Sequence, residues 1–192
     1  MTKTETIREI KSQFRLYMNG VASASMREKG LCYKVNFGIE IPRLHEIASN
    51  YTPDFALAYA LWNDPVRESK LLATLLMPRQ DMPEETADEW AGQIDNVELA
   101  EQATFNLFRH LPCAHTKSLE WIAGENPFMQ LCGVLLALHL AGCPDAFSQR
   151  DIMELKDQVQ VLLQTDFMPV VRAARKLYVF LQQTSSVLEE KD

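Results

Sequence analysis

Trp62-Asn-Asp-Pro65-Val-Arg-Glu-Ser-Lys-Leu71-Leu-Ala-Thr-Leu-Leu76 and Trp121-Ile-Ala-Gly-Glu-Asn-Pro127-Phe-Met-Gln-Leu131-Cys-Gly-Val-Leu-Leu-Ala-Leu138 are two versions of one arrangement. In each, a tryptophan ends one apolar stretch, a proline follows, and a leucine-rich run begins. Proline has the fixed φ that suits the first turn of a helix. The apolar residues after it (Leu71, Leu72, Leu75 and Leu76; Val134, Leu135, Leu136 and Leu138) recur at helical spacing. The spacing from Trp to Pro differs between the copies, so the repeat is faint.

The same period continues outward from both copies. Ile7, Ile10, Phe14 and Tyr17 fall at i, i+3, i+7 and i+10, one apolar stripe with charges opposite. A more irregular stretch follows. Pro42 is then placed for the first turn of a helix carrying Leu44, Ile47 and Ala48, and Asp54 or Thr52 opens the next. Pro65 is expected to open the helix that stops before Met77-Pro78. Further on, three pairs are expected: 84–94 with 96–111, capped at Asn96; 116–124 with 127–141, closed by Gly142 in the left-handed region and Pro144; and 148–164 with 168–183. No stretch alternates long enough to be a convincing strand. Helix pairs of ~40 residues that cannot bury their apolar faces alone, one after another, are the mark of a HEAT-type solenoid. The expectation is an all-α, HEAT-like repeat array of antiparallel helix pairs, an alpha-alpha superhelix, forming a single domain over residues 1–192.

Composition agrees. A chain of 192 residues, 47% hydrophobic and 23% charged, has ordinary globular values and can bury a core without a metal or disulfide staple. Cys32, Cys113, Cys132 and Cys143 form no CxxC pair. The polar N-terminus lacks the apolar run of a secretory signal, and the 131–141 run, broken by His139, is far shorter than the ~20 residues that span a bilayer. Reduced thiols, a cytoplasmic setting and no membrane partner are expected.

Net charge is −7, unevenly spread. Residues 1–50 carry eight Lys and Arg against five Asp and Glu, whereas 80–108 hold eight acids and no Lys or Arg. A phosphate backbone is repelled by that middle segment, which weakens any duplex DNA partnership and leaves a protein partner open.

Five residues invite a metal reading: His110, Cys113, His115, His139 and Cys143. Their spacing matches no standard zinc pattern, and nothing places a third orienting group for a Cys–His nucleophile, so neither metal nor cofactor is expected. Trp62, Trp90 and Trp121 sit near predicted helix ends, to pack between helices or to line a surface where a flat group stacks. Asp95, Glu98 and Glu101 open a helix, where acids complement the dipole; on a concave face they would also stabilise a developing cation. Arg172, Arg175 and Lys176 lie at i, i+3 and i+4 on the last helix, as a solvated face or a phosphate-binding one.

Three stretches carry a resemblance. Gly30-Leu-Cys-Tyr-Lys-Val-Asn-Phe-Gly38-Ile-Glu-Ile-Pro42-Arg-Leu-His-Glu-Ile-Ala48, Leu61-Trp-Asn-Asp-Pro-Val-Arg-Glu68 and Ile94-Asp-Asn-Val-Glu-Leu-Ala-Glu101 resemble, in order and spacing, the AlkD-like DNA alkylation-repair family of HEAT-like repeat DNA glycosylases. The similarity extends loosely to 172–181. It implies a curved array of helix pairs, DNA binding, and cofactor-free hydrolysis of the N-glycosidic bond of cationic N3- or N7-alkylated purines. The family's carboxylate, usually Asp, falls at Glu98, its Trp at Ile94 and its basic catalytic residue near Leu131. Trp90 is then the candidate to replace part of the aromatic wall, with Asp95, Arg172, Arg175 and Lys176 as binding residues. One added methylene displaces a carboxylate from its working position, and loss of Trp and Arg removes a wall and a clamp. The resemblance therefore implies a divergent member with altered catalytic positions, and the alternative is a non-catalytic helical scaffold for a protein or structured nucleic acid.

Overall fold

The computed structural model describes residues 2–143 and 146–189, with side chains up to residue 183. Eleven α-helices and a short 3-10 turn are present among them, and no strand. The chain divides into two compact units, Met1–Pro83 and Glu84–Asp192.

The first unit contains α1 (Lys3–Leu16), α2 (Gly20–Glu28), α3 (Ile41–Ala48), α4 (Phe55–Trp62) and α5 (Arg67–Leu76). A reciprocal cap between Thr2 and Glu5 starts α1, which buries Ile10 and Phe14 of the expected stripe. Tyr17, the stripe's last member, is exposed. The Asp54 carboxylate accepts the Leu57 N–H and starts α4, deciding between the two expected openers. Trp62 is fully buried, and α4 packs along α5 as the Trp–Pro pattern implies. Two local expectations are corrected. The irregular stretch contains α2, capped by Asn19; its Gly-Val-Ala-Ser-Ala-Ser composition buries only Ser23, so it shows no apolar stripe to read. Pro65 does not open α5: its carbonyl accepts from the Val35 N–H and the Arg67 N–H donates to the Val35 carbonyl, which holds Val66 extended.

The second unit contains α6 (Glu84–Gly92), α7 (Val97–Asn106), the 3-10 turn Phe108–His110, α8 (Ala114–Ala123), α9 (Pro127–Leu140), α10 (Gln149–Leu162) and α11 (Met168–Glu189). Asn96 caps α7 and Ser148 caps α10. Leu140 ends α9 and Gly142 is not in the left-handed region, contrary to expectation; Pro144 lies outside the described residues. The central element is α9, packed against α8, α7, α11 and α6. Gly133 explains the tightest of these contacts. A Cβ there would stand 2.8 Å from the Ile122 backbone nitrogen and 3.1 Å from the Ser118 carbonyl oxygen, so only glycine lets α8 and α9 approach this closely.

This unit has two layers. In one, α8 joins α6 and α10 through polar bridges: the Trp121 Nε1–H donates to Asp88 Oδ1 at 2.8 Å, and His115 meets Asp151 at 3.3 Å. In the other, α9 lies between α7 and α11. The expected pairing of α6 with α7 is thus replaced by α7 on α9, because the apolar residues of α7 (Leu99, Ala100 and Ala103) find their main surface there.

Candidate functional site

The motif stretches of the first unit turn out to be a structural clamp. Glu68 Oε2 accepts the Phe37 N–H at 3.1 Å and Oε1 accepts the Ile39 N–H at 3.2 Å. Arg67 Nη1 pairs with the same carboxylate at 3.1 Å and donates to the Ile39 carbonyl at 2.8 Å. Both side chains are at most 1% exposed. A buried charge is tolerated only when paired and hydrogen-bonded, and this pair uses its capacity on the 35–39 backbone. Gly38 completes the clamp at φ +74°, where a Cβ would lie 2.2 Å from the Asn19 carbonyl oxygen.

The exposed chemistry of the second unit gathers on the layer formed by α7, α9 and α11. A cleft of about 250 Å³ opens there, floored by Leu131, Leu135 and Leu138 of α9. Val97 and Glu101 line it from α7, and Pro169, Arg172, Ala173 and Lys176 from α11. Arg172, Arg175 and Lys176 are all exposed. They share a face because i, i+3 and i+4 positions adjoin on a helix, and no carboxylate among the described residues pairs with them. Among the expected site residues, then, Arg172 and Lys176 come together with Glu101.

Glu98 lies in the first turn of α7, half-buried. Asp95 is exposed just before that helix and accepts the Asn96 side-chain amide at 2.9 Å. Trp90 is fully buried in α6 and presents no ring face to a ligand. Ile94 and Leu131, at the positions where the resemblance places Trp and a basic residue, are each 2% exposed. Leu131 nevertheless forms part of the cleft floor.

Part of the acidic segment is neutralised within the fold. The buried Lys117 donates to Asp88 at 2.9 Å and Glu120 at 2.8 Å, with Glu84 at 3.7 Å. Burial alone would lower the pKa of this ammonium; the hydrogen bonds to Glu120 and Asp88 outweigh it and raise the value above that of ordinary lysine. No spacing signal announces this cluster, since Lys117 and Asp88 meet only when α8 packs on α6.

The Cys and His residues considered for metal are dispersed. Cys113 is buried at the start of α8, Cys143 is exposed, His115 pairs with Asp151, and the His139 ring lies against Phe105 with centroids 5.7 Å apart. Among the described residues no group of three His, Cys, Asp or Glu side chains is placed to hold a metal ion. The Phe105 ring also carries the Arg109 guanidinium 3.9 Å from its centroid. This stack passed unnoticed in the sequence because its members come from α7, α9 and the 3-10 turn. No helix among the described residues is long and apolar enough to cross a membrane.

No curated protein matches the chain significantly. A solved structure described as belonging to "a new family of proteins related to the HEAT-like repeat DNA glycosylases with affinity for branched DNA structures" matches with a TM-score of 0.81 at 16% identity, over 100% of this chain and 80% of that one. At that identity the likeness speaks to the fold, which is HEAT-like. A family model described as DNA alkylation repair enzyme matches residues 10–165. By that match, spanning most of its length, the chain belongs to the DNA alkylation repair enzyme family.

Proposed function

We propose that this chain is a divergent DNA alkylation-repair protein that binds DNA through the α7–α9–α11 layer of its second unit and has weak or no glycosylase activity. One observation carries the reading: Arg172 and Lys176, without carboxylate partners among the described residues, line a cleft whose other rim carries Glu101, and Arg175 is exposed on the same helix. Unpaired cations on one helix face suit phosphates. The affinity of the structurally similar protein for branched DNA supports a DNA partner here as well. Against excision stand the hydrocarbon at Leu131, the buried Ile94 and the enclosed Trp90, which leave neither a basic clamp nor an open tryptophan wall.

Whatever excision remains is hydrolysis of the N-glycosidic bond of an alkylpurine, with Glu98 stabilising positive charge on the sugar. A cationic base is already a good leaving group, so an oriented carboxylate and water suffice. Two measurements test the proposal. Release of 7-methylguanine or 3-methyladenine from alkylated duplex is expected to be slow or absent, and any activity that survives Glu98→Gln removes Glu98 from the role. Fluorescence anisotropy against duplex and four-way-junction DNA is expected to show binding that weakens with salt. Replacing Arg172, Arg175 and Lys176 with Ala should lower the log–log salt slope by about 2–3, close to one unit per phosphate contact. The competing reading, a scaffold for a protein, draws on the apolar floor of Leu131, Leu135 and Leu138. Absent or salt-independent DNA binding would favour it.

A further inference from the structure

We propose that Phe105, Arg109 and His139 form a stacking platform for an unpaired nucleobase, beside the cleft of the second unit. The inference rests on the DNA-binding reading above and names the part of a DNA that this surface takes.

The platform continues the cleft. Along α7, Val97, Glu101 and Phe105 follow one another at i, i+4 and i+8, a single ridge. Along α9, Leu131, Leu135 and His139 do the same opposite it. The first members of each ridge line the cleft, and the last members meet as a tilted ring pair 5.7 Å apart. One helical turn, roughly 6 Å, therefore separates the apolar floor from the stack.

Three features suit the stack to a base. Phe105 keeps 47% of its surface exposed, unusual for an aromatic on a helix whose neighbours Ala103, Thr104 and Asn106 are buried. Arg109 lies over the ring at 3.9 Å and is itself half-exposed, so its guanidinium continues the stack outward. Bases stack on aromatic faces and on guanidinium planes alike, and the stacking tolerates any sequence. His139 closes the third side; burial, then the Arg109 charge, lowers its pKa and so favours the neutral ring.

Charge complementarity selects the occupant. The platform carries the Arg109 cation, and the adjoining cleft carries Arg172 and Lys176 against the carboxylate of Glu101, so the balance of charge favours a base together with its phosphates. Inside a paired duplex the base faces are already stacked on one another. The surface therefore favours nucleotides that are bulged or at a branch, where a base is free to leave the helix.

The test uses the full chain and three DNAs: a plain duplex, the same duplex with a single bulged 2-aminopurine, and a four-way junction. Wild-type protein is expected to quench the bulged fluorophore and to bind bulged and branched DNA more tightly than duplex. Phe105→Ala should weaken that tighter binding about 10-fold and abolish the quench, with duplex affinity unchanged; Arg109→Ala should abolish the quench and weaken binding to all three DNAs, because one cation is lost as well. Phe105→Trp should retain the tighter binding and the quench. Phe105 is half-exposed, and a thermal melt of Phe105→Ala confirms that the variant is folded. Binding of all three DNAs that depends on Arg172, Arg175 and Lys176 but not on Phe105 or Arg109, without quenching, overturns the platform alone. Failure to bind any of the three overturns the DNA reading and the platform with it.

Discussion

In the first unit the principal ion pair, Arg67–Glu68, is sealed from solvent and spends its hydrogen bonds on the backbone of residues 37–39. In the second, the principal cation, Lys117, is buried, but its partners Glu84, Asp88 and Glu120 remain 60%, 40% and 53% exposed, and another set of cations stands open on α11. The same residue types thus do different work. Sealed charge fixes a loop because water cannot replace its buried partners; exposed charge keeps water as a partner and can exchange it for a phosphate. The contrast also separates the motif stretches of the first unit from the proposed binding face, to which the Ile94–Glu101 stretch contributes Val97 and Glu101. Arg67, Glu68 and Gly38 hold the fold, whereas the exposed cations and the Phe105 stack carry the proposed recognition.

If that contrast is right, removing half of the sealed pair has the largest effect. Glu68→Gln leaves Arg67 charged and uncompensated in the core, and chemical denaturation should report a loss of about 3–5 kcal/mol. Gly38→Ala comes next, at about 3 kcal/mol, because it adds left-handed strain to a clash with the Asn19 carbonyl; hydrogen exchange of the 35–39 amides should accelerate in both variants. In the second unit, Lys117→Met should cost about 1–2 kcal/mol, since its partners are partly screened by water.

The pH dependence of that loss has a definite sign. The pKa of Lys117 is raised in the folded state, so its contribution is present below the ordinary lysine value of 10.5 and disappears only as pH rises through the raised one. The difference between wild type and Lys117→Met should shrink in strongly alkaline denaturation experiments. The smallest effect is at the start of α10. The Ser148 hydroxyl and N–H donate to Asp151 and hold its pKa below the ordinary value of 3.8. Asp151→Asn should cost about 1 kcal/mol at neutral pH, a difference that fades as pH falls through the lowered value. A larger loss for Lys117→Met than for Glu68→Gln would erase the distinction between the two units.

Much of this was legible beforehand. The Trp62–Pro65 and Trp121–Pro127 patterns mark the two helix pairs that pack most extensively, and Asn96, Asp54 and Ser148 act as caps because a side-chain oxygen beside free backbone N–H groups is a local arrangement. Arg172 and Lys176 were identifiable as one face from their spacing. Trp90 was harder to place, since a tryptophan near a helix end has the same sequence appearance whether its ring faces solvent or the core. α2 was hidden for the opposite reason: a helix of small polar residues has no stripe.

Helical period and the side-chain caps at Asp54, Asn96 and Ser148 are set by residues within a few positions of one another, and the amino-acid order alone determined them. Which side chains meet across helices was decided by packing. Glu101 shares a cleft with Lys176, Lys117 meets Asp88, and Phe105 meets His139 only after α6, α7, α8, α9 and α11 take their places, because each contact spans tens of residues and leaves no periodic trace in the chain.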